Sequence, residues 1–110
     1  MIEFPQMAPL LQKHLSVEPA TIGELCRRHG LRELSIFGSV LREDFSAESD
    51  VDILIDFEPG REMSIELYLA IKDDLEALFG RAVDLVQMHL LSNPYRRYEI
   101  LRTRENLYAI

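Results

Sequence analysis

Residues 34–57 read LSIFGSVLREDFSAESDVDILIDF and contain two segments with the composition of β-strands. Residues 34–37 are mostly apolar and run directly into a glycine and a serine at positions 38 and 39, which favour a tight turn. Val51–Phe57 is rich in β-branched and aromatic residues and is bounded by Pro59 and Gly60. If the two strands are antiparallel neighbours, the end of the first meets the start of the second at one edge of a sheet.

The second strand has two chemically different faces, because side chains alternate from one face to the other. One face carries four apolar side chains, Val51, Ile53, Ile55 and Phe57. The other face carries three carboxylates and one leucine, Asp50, Asp52, Leu54 and Asp56. The strand is therefore predicted to pack one face on a hydrophobic core and to place acidic groups on the opposite face.

The whole chain predicts the order helix, helix, strand, loop, strand, helix, strand, helix. Apolar residues recur at helical spacing over about residues 6–15, 19–29 and 64–79, and Gly30 and Gly80 suit the left-handed position that ends a helix. Residues 82–86 predict a third strand, parallel to the second because the connecting segment is long enough for a crossover. Asn93 and Pro94 predict the N-cap and first position of a last helix. These elements predict an α/β (α+β) fold, a small mixed β-sheet with packed helices.

Composition limits the classes of protein to which the chain can belong. Its 110 residues, 47% of them hydrophobic, suit one domain spanning residues 1–110. The net charge of -7 argues against general binding to DNA or to an anionic membrane, which depends on Lys and Arg. We find neither a signal peptide nor an apolar window approaching the roughly 18 residues of a membrane span, so we expect a cytoplasmic protein. The single cysteine, Cys26, is expected to be a buried, small apolar residue.

The chain contains a set of residues typical of a metal site: Asp50, Asp52 and Asp84. Asp50 and Asp52 project from the same strand face about 7 Å apart, and carboxylates this close repel unless positive charge lies between them. Oxygen ligands of this kind suit Mg²⁺ or Mn²⁺, which bind through one or two carboxylates together with substrate phosphates. Asp84, on the next strand, could reach the same cluster as a metal ligand and as a proton acceptor. Three carboxylates and two metal ions would form a site for in-line phosphoryl displacement.

Gly38, Ser39 and Arg42 are the candidate residues for binding a nucleotide's phosphates. Gly38 has no side chain and lets a triphosphate approach the backbone closely, and Ser39 can offer a hydroxyl and a backbone N–H. Arg42 could pair with a phosphate oxygen or with a carboxylate of the site, and the sequence leaves both open.

The pattern Gly-Ser, about ten residues, Asp-x-Asp and a later carboxylate resembles the nucleotidyltransferase superfamily related to DNA polymerase β. Residues 34–60 resemble more narrowly the minimal nucleotidyltransferases that act as antitoxins beside HEPN-domain ribonuclease toxins, a likeness that extends from about residue 11 to the C-terminus. The resemblance implies a polymerase β-type fold and the transfer of AMP from ATP onto a tyrosine of the partner toxin. It carries the motif over to Gly38, Ser39, Asp50, Asp52 and Asp84. Many relatives have a small residue where this chain has Glu43, whose side chain we expect to point to solvent.

Two alternatives stand beside this interpretation. A nucleotidyltransferase acting on a small-molecule hydroxyl would use the same residues, although we see no additional segment that could form a pocket for such an acceptor. A non-catalytic antitoxin would instead be a binding module that neutralises its toxin by covering it.

The last 17 residues hold four basic and two acidic side chains, a charge of +2 in an otherwise acidic chain. The basic residues are Arg96, Arg97, Arg102 and Arg104. They either complement the dipole at a helix C-terminus or, with Tyr95 and Tyr98, form a face that contacts nucleotide or partner. Asp56 is expected to be structural, and the histidines at positions 14, 29 and 89 have no ligand spacing and are expected to lie outside the site.

Overall fold

Five strands form one mixed sheet in the computed structural model, which describes residues 2–3, 15, 18–42, 45–46, 48–61 and 63–110. The strands are β1 (Ile2–Glu3), β2 (Leu31–Phe37), β3 (Val51–Phe57), β4 (Val83–Gln87) and β5 (Glu105–Ala109). Their order across the sheet is β1-β5-β2-β3-β4, and of these described pairs only β3–β4 is parallel. The expected antiparallel neighbours on either side of the Gly-Ser turn and the predicted parallel crossover are both confirmed.

Helices pack on both faces of this sheet, and the described part of the chain contains three, α1 (Pro19–His29), α2 (Ile65–Phe79) and α3 (Pro94–Thr103). Ser64 Oγ accepts a first-turn N–H of α2 at 3.0 Å, and the Asn93 side chain accepts two from α3 at 2.9 and 3.2 Å. Gly30 and Gly80 end α1 and α2 in the left-handed conformation, as predicted. The helix predicted over residues 6–15 lies outside the described residues except for Leu15, which is buried. None of the described helices is long and apolar enough to cross a membrane.

The predicted order of elements ends with a helix and lacks β5, which the structure places between β1 and β2. β5 pairs antiparallel with both of these strands. Its sequence, ENLYA, has two buried residues, Leu107 and Tyr108, preceded by polar ones, and so shows little strand-like alternation. Its conformation therefore follows from pairing with β2 rather than from a local pattern.

Two hydrophobic clusters hold the layers together, one on each face of the sheet. The larger joins α1 and α2 to the sheet through buried side chains that include Ile22, Leu25, Cys26, Ile53, Ile55, Ile71, Leu75 and Leu85. The smaller contains Phe37, Leu54, Leu91 and Ile100, so α3 covers the other face. The predicted alternation along β3 is confirmed, because Ile53 and Ile55 pack in the first cluster and Leu54 in the second. Each fully buried aliphatic side chain contributes about 1.5–3 kcal/mol to folding.

Side chains of α2 cover backbone groups of β4, the last strand in the sheet order. Glu76 Oε2 accepts the Val83 N–H at 2.9 Å, and the Tyr68 hydroxyl donates to the Leu85 carbonyl at 3.3 Å. Lys72 Nζ donates to the same oxygen of Glu76 at 2.8 Å, and this bond, followed by the Val83 N–H, lowers the pKa of Glu76. Because uncovered edge groups invite pairing with another chain, these bonds protect β4.

A group of charged side chains joins α1 to α2. Asp74 Oδ2 accepts a hydrogen bond from Arg28 Nη2 at 2.8 Å and lies 2.7 Å from His29 Nε2. The hydrogen bond with His29, reinforced by the one from Arg28, holds the pKa of Asp74 below its ordinary value. His29 is therefore structural, which agrees with its lack of metal-ligand spacing.

We expect Asp74→Asn to make folding less sensitive to acid. A carboxylate whose folded pKa lies below its unfolded pKa stabilises the fold above the unfolded value and loses that contribution as pH falls through the folded value. The variant should lose about 0.5–1 kcal/mol at pH 7, and the difference should vanish as pH falls through the folded pKa of Asp74, as measured by urea unfolding at several pH values. Asp73→Asn, one residue away on the exposed side of α2, is the control. A loss that is the same at every pH would contradict this account.

Candidate functional site

The end of β2 and the starts of β3 and β4 meet at one edge of the sheet. Phe37, the last residue of β2, pairs with Asp52 in β3, and Asp52 pairs with Asp84 in β4. Neighbouring strands lie about 4.8 Å apart, so the two aspartates are adjacent. Gly38 follows β2 directly, and Asp50 lies immediately before β3. The structure therefore brings together the three candidate metal ligands and the start of the Gly-Ser turn.

Position 38 requires a glycine because of both its backbone conformation and its surroundings. Gly38 has a φ of +81°, and a Cβ placed there would collide with Oδ2 of Asp52. Residues Gly38–Leu41 form a 3-10 turn, closed by a 2.9 Å hydrogen bond from the Arg42 N–H to the Ser39 carbonyl. The sequence suggested that Gly38 leaves room for a phosphate, and the structure adds that the Asp52 carboxylate occupies the space of a side chain.

The carboxylates at this edge are close enough to affect one another electrostatically. The pKa of Asp52 is raised, first by burial, then by repulsion from Asp84 and from Asp50. Arg96 and Arg42 act in the opposite direction. Asp50 and Asp84 are exposed, whereas Asp52 is half-buried. Asp52 is thus the centre of a group of three carboxylates and two guanidinium groups.

A divalent cation fits this edge through a pair of carboxylates. Among the described residues, no three carboxylate, histidine or cysteine side chains are placed to hold one metal ion together. Mg²⁺, however, usually binds through one or two carboxylates and takes its other oxygen ligands from water and substrate phosphates. Asp52 and Asp84 offer such a pair, and the raised pKa of Asp52 indicates that a positive charge beside it would be stabilising.

The basic residues at the start of α3 correct one interpretation of the sequence. Arg96 and Arg97 lie in the first turn of α3, so they do not complement the dipole at a helix C-terminus. Arg97 Nη1 donates to the Met88 carbonyl at 3.1 Å and has a structural contact. Arg96 acts electrostatically on Asp52, and the sequence analysis gave it only as part of a possible face for nucleotide or partner. The excess of basic residues in the last segment was the only sequence signal for it.

The other members of the basic C-terminal segment have surface or structural contacts. Arg102 lies in the last turn of α3, where the dipole interpretation holds, and pairs with Glu99 at 2.9 Å. Arg104 lies 3.5 Å from Glu33. Tyr95 and Tyr98 are 84% and 63% exposed, so they are accessible to a ligand or partner.

Several residues that the sequence analysis placed outside the site lie away from this edge or outside the described part of the chain. Asp56 Oδ2 accepts a hydrogen bond from Arg32 Nε at 2.9 Å, which agrees with the expected structural role. His89 is exposed and follows β4 at the opposite end of the strand from Asp84. His14 and Glu43 lie outside the described residues, so the expectations for them stay predictions.

Comparison with known protein families shows to which family the chain belongs. Residues 20–110 match the family model described as polymerase beta nucleotidyltransferase. The chain belongs to this family. The match includes β2 to β5, α2, α3, all of α1 but its first residue, and every residue of the acidic edge, so the predicted fold and the predicted class of enzyme, a nucleotidyltransferase, are confirmed.

Individual relatives narrow the comparison. The protein adenylyltransferase MntA of Thermococcus cleftensis is 40% identical over 83 residues, which cover 76% of this chain and 82% of the relative. A solved structure provisionally assigned as a minimal nucleotidyltransferase is 36% identical, with a TM-score of 0.66 over 79% of this chain and 86% of its own. A chain in the crystal structure of a toxin–antitoxin complex with AMP-PNP has a TM-score of 0.67 over 84% of this chain and 73% of its own. Its identity is 19%, so this last likeness shows the fold alone.

We expect Gly38→Ala to displace the Asp52 carboxylate in addition to straining the backbone. Gly60→Ala is the matched control, because Gly60 has a φ of +86° and nothing within 4 Å of where a Cβ would lie. Both variants should lose about 1–2 kcal/mol of folding free energy from the left-handed conformation. Only Gly38→Ala should also weaken Mn²⁺ binding, by about tenfold or more, in a titration followed by electron paramagnetic resonance. Equal Mn²⁺ affinity in the two variants would contradict the close contact with Asp52.

We expect Asp52→Asn to stabilise the protein in EDTA at neutral pH. A carboxyl group whose folded pKa lies above its unfolded pKa stabilises the fold when protonated and loses that contribution as pH rises through the folded value. The melting temperature of the variant should exceed that of the wild type by about 2–5 °C at pH 7, and the difference should shrink toward pH 4. Asp56→Asn, which breaks the pair with Arg32, should show no such gain. A lower melting temperature for Asp52→Asn at pH 7 would show that burial and repulsion of the Asp52 carboxylate do not destabilise the fold.

Proposed function

We propose that this chain is an antitoxin that transfers AMP from ATP onto a tyrosine hydroxyl of a HEPN-type ribonuclease toxin. The observation that carries the proposal is the pairing of Asp52 with Asp84 on parallel strands, beside the turn that begins at Gly38. The relative named as a protein adenylyltransferase supports a protein acceptor and an adenylyl donor. The toxin–antitoxin complex that contains AMP-PNP supports ATP as the donor and a toxin as the partner.

Asp50, Asp52 and Asp84 are the proposed ligands of two Mg²⁺ or Mn²⁺ ions. When bound, the cations supply positive charge to the phosphate oxygens and to the leaving group. The same charge would offset the burial, and the repulsion from Asp84 and Asp50, that together raise the pKa of Asp52. Metal binding and substrate binding are therefore expected to reinforce each other at this edge.

The proposed reaction is an in-line displacement at the α-phosphorus of ATP. The tyrosine oxygen forms the new bond to phosphorus while the bond to the bridging oxygen breaks and pyrophosphate leaves. The hydroxyl proton passes to Asp84, an exposed carboxylate near the start of β4. Gly38 and Ser39 seat the phosphates, and Arg42 and Arg96 offset their negative charge.

The proposed site is open, because Asp50 and Asp84 are exposed. A partner that presents its tyrosine at this edge would cover both carboxylates and exclude water from the reacting groups. We therefore propose that the toxin completes the site of a single catalytic domain, residues 1–110, and that the reaction takes place in the cytoplasm, where ATP is abundant.

The proposal is tested by incubating the purified chain with Mg²⁺, α-labelled ATP and a co-purifying HEPN-type toxin. The wild type should label the toxin, and an Asp50→Ala, Asp52→Ala double variant should do so at least about 10³-fold more slowly. Asp56→Asn is the matched control, because Asp56 lies on the same strand face as Asp52 but pairs with Arg32. It should label the toxin at the rate of the wild type.

Toxin that binds tightly but receives no label from the wild type would contradict adenylylation. If that binding also survives the double substitution, the chain is a non-catalytic antitoxin on an enzyme's fold. Label that appears on a small-molecule hydroxyl, and not on the toxin, would instead support the alternative acceptor.

A further inference from the structure

Arg81 lies between Gly80, which ends α2, and β4, which carries Asp84. Its guanidinium group reaches across to the segment that precedes Asp50. Arg81 Nη1 donates to the Ser46 carbonyl at 2.7 Å and to the Ser49 carbonyl at 3.2 Å. These contacts join the two parts of the chain that supply the candidate metal ligands.

The segment that Arg81 contacts is a turn closed by its own hydrogen bonds. The Ser49 N–H donates to the Ser46 carbonyl at 3.1 Å, and the Ser46 N–H donates to Ser49 Oγ at 3.1 Å. The two serine hydroxyls lie 3.2 Å apart. Because Arg81 binds carbonyls at both ends of this turn, it fixes the turn as a unit.

An aromatic ring supports the guanidinium group from a third direction. Arg81 Cζ lies 4.3 Å from the centre of the Phe45 ring, within the range of a cation–π interaction. A planar guanidinium group can stack on a ring while its N–H groups donate in the plane, which a lysine ammonium does not reproduce. Arg81 is half-buried, so these contacts are partly shielded from water.

Hydrogen bonds on both sides of Asp50 tie it to the start of β4. Ser49, immediately before Asp50, accepts from Arg81, and Val51, immediately after it, donates its N–H to the Ala82 carbonyl at 3.0 Å. Asp84 follows Ala82 by two residues. The distance between β3 and β4 is therefore fixed by hydrogen bonds on both sides of Asp50, in addition to those between the paired residues of the two strands.

We propose that Arg81 is a positioning residue that holds the approach to Asp50 and Asp52 in register with Asp84 and so keeps the metal-binding carboxylates together. The proposal rests on the proposed function, because it assigns a purpose to that same site. Within the part of the chain that the structure describes, Arg81 donates hydrogen bonds to the Ser46 and Ser49 carbonyls and not to the carboxylates, so it acts through this turn.

The test compares Arg81→Met, Arg81→Lys and Phe45→Leu with the wild type, and uses Arg28→Met as the control. Arg28 is also an arginine with a defined partner, but it pairs with Asp74 between α1 and α2. Mn²⁺ affinity is measured by electron paramagnetic resonance. Amide hydrogen exchange measures the mobility of residues 45–50. AMP transfer is measured with α-labelled ATP and the toxin as acceptor.

In Arg81→Met, the amide hydrogens of residues 45–50 should exchange about tenfold faster than in the wild type. The exchange rates of the β-strands should not change. The variant should bind Mn²⁺ about tenfold more weakly and transfer AMP about 10²-fold more slowly, because the carboxylates are less well placed. Arg81→Lys should lose less, since it keeps the charge above the ring, and Phe45→Leu should shift each measurement in the same direction. Arg28→Met should leave Mn²⁺ affinity and local exchange unchanged.

Wild-type Mn²⁺ affinity and wild-type amide exchange in Arg81→Met would overturn the proposal, even if that variant transfers AMP more slowly. The same losses in Arg28→Met would also overturn it, because they would follow from general destabilisation. If Arg81→Met does not fold, Arg81→Lys and Phe45→Leu decide by the same measurements. If the wild type transfers no AMP, the proposed function fails, while Mn²⁺ affinity and exchange still decide the role of Arg81.

Discussion

Three carboxylates, Asp50, Asp52 and Asp84, meet at one edge of the sheet, and the surrounding elements hold them there against their mutual repulsion. Burial, followed by repulsion from Asp84 across the parallel pair of strands and from Asp50, raises the pKa of Asp52. Holding these groups together costs folding free energy, which the hydrophobic clusters on the two faces of the sheet have to offset. An acidic edge of this kind opposes the stability of the fold locally, as functional sites commonly do.

Different elements contribute to the control of this repulsion. The parallel register places Asp52 directly beside Asp84, and the turn after β2 brings the Gly38 backbone against the Asp52 carboxylate. Arg42 follows the same turn, whereas Arg96 comes from α3, and both oppose the shift in the pKa of Asp52. The proposed site is therefore assembled from β2, β3, β4 and α3 together.

The sequence predicts those features that have a local cause. Neighbouring residues are sufficient to predict the alternation in β3, the glycine that ends α2 and the Asn93 cap. The proximity of Gly38, Asp52 and Asp84 follows from the pairing of the strands that carry them. The features that it does not predict depend on parts of the chain far apart in sequence. β5 is a strand because it pairs with β2. Arg96 lowers the pKa of Asp52 only because α3 packs on the sheet face that carries Leu54.

The position of Asp84 depends on a helix that contributes no side chain to the site. The parallel pairing of β3 with β4 needs a crossover, and α2 provides it. α2 also holds the outer side of β4, because Glu76 accepts the Val83 N–H and Tyr68 donates to the Leu85 carbonyl, one residue before and one after Asp84. β3 pairs with the inner side of the same strand. Since both sides of its strand are hydrogen-bonded, Asp84 can remain exposed to solvent and repelled by Asp52 while its backbone stays in register.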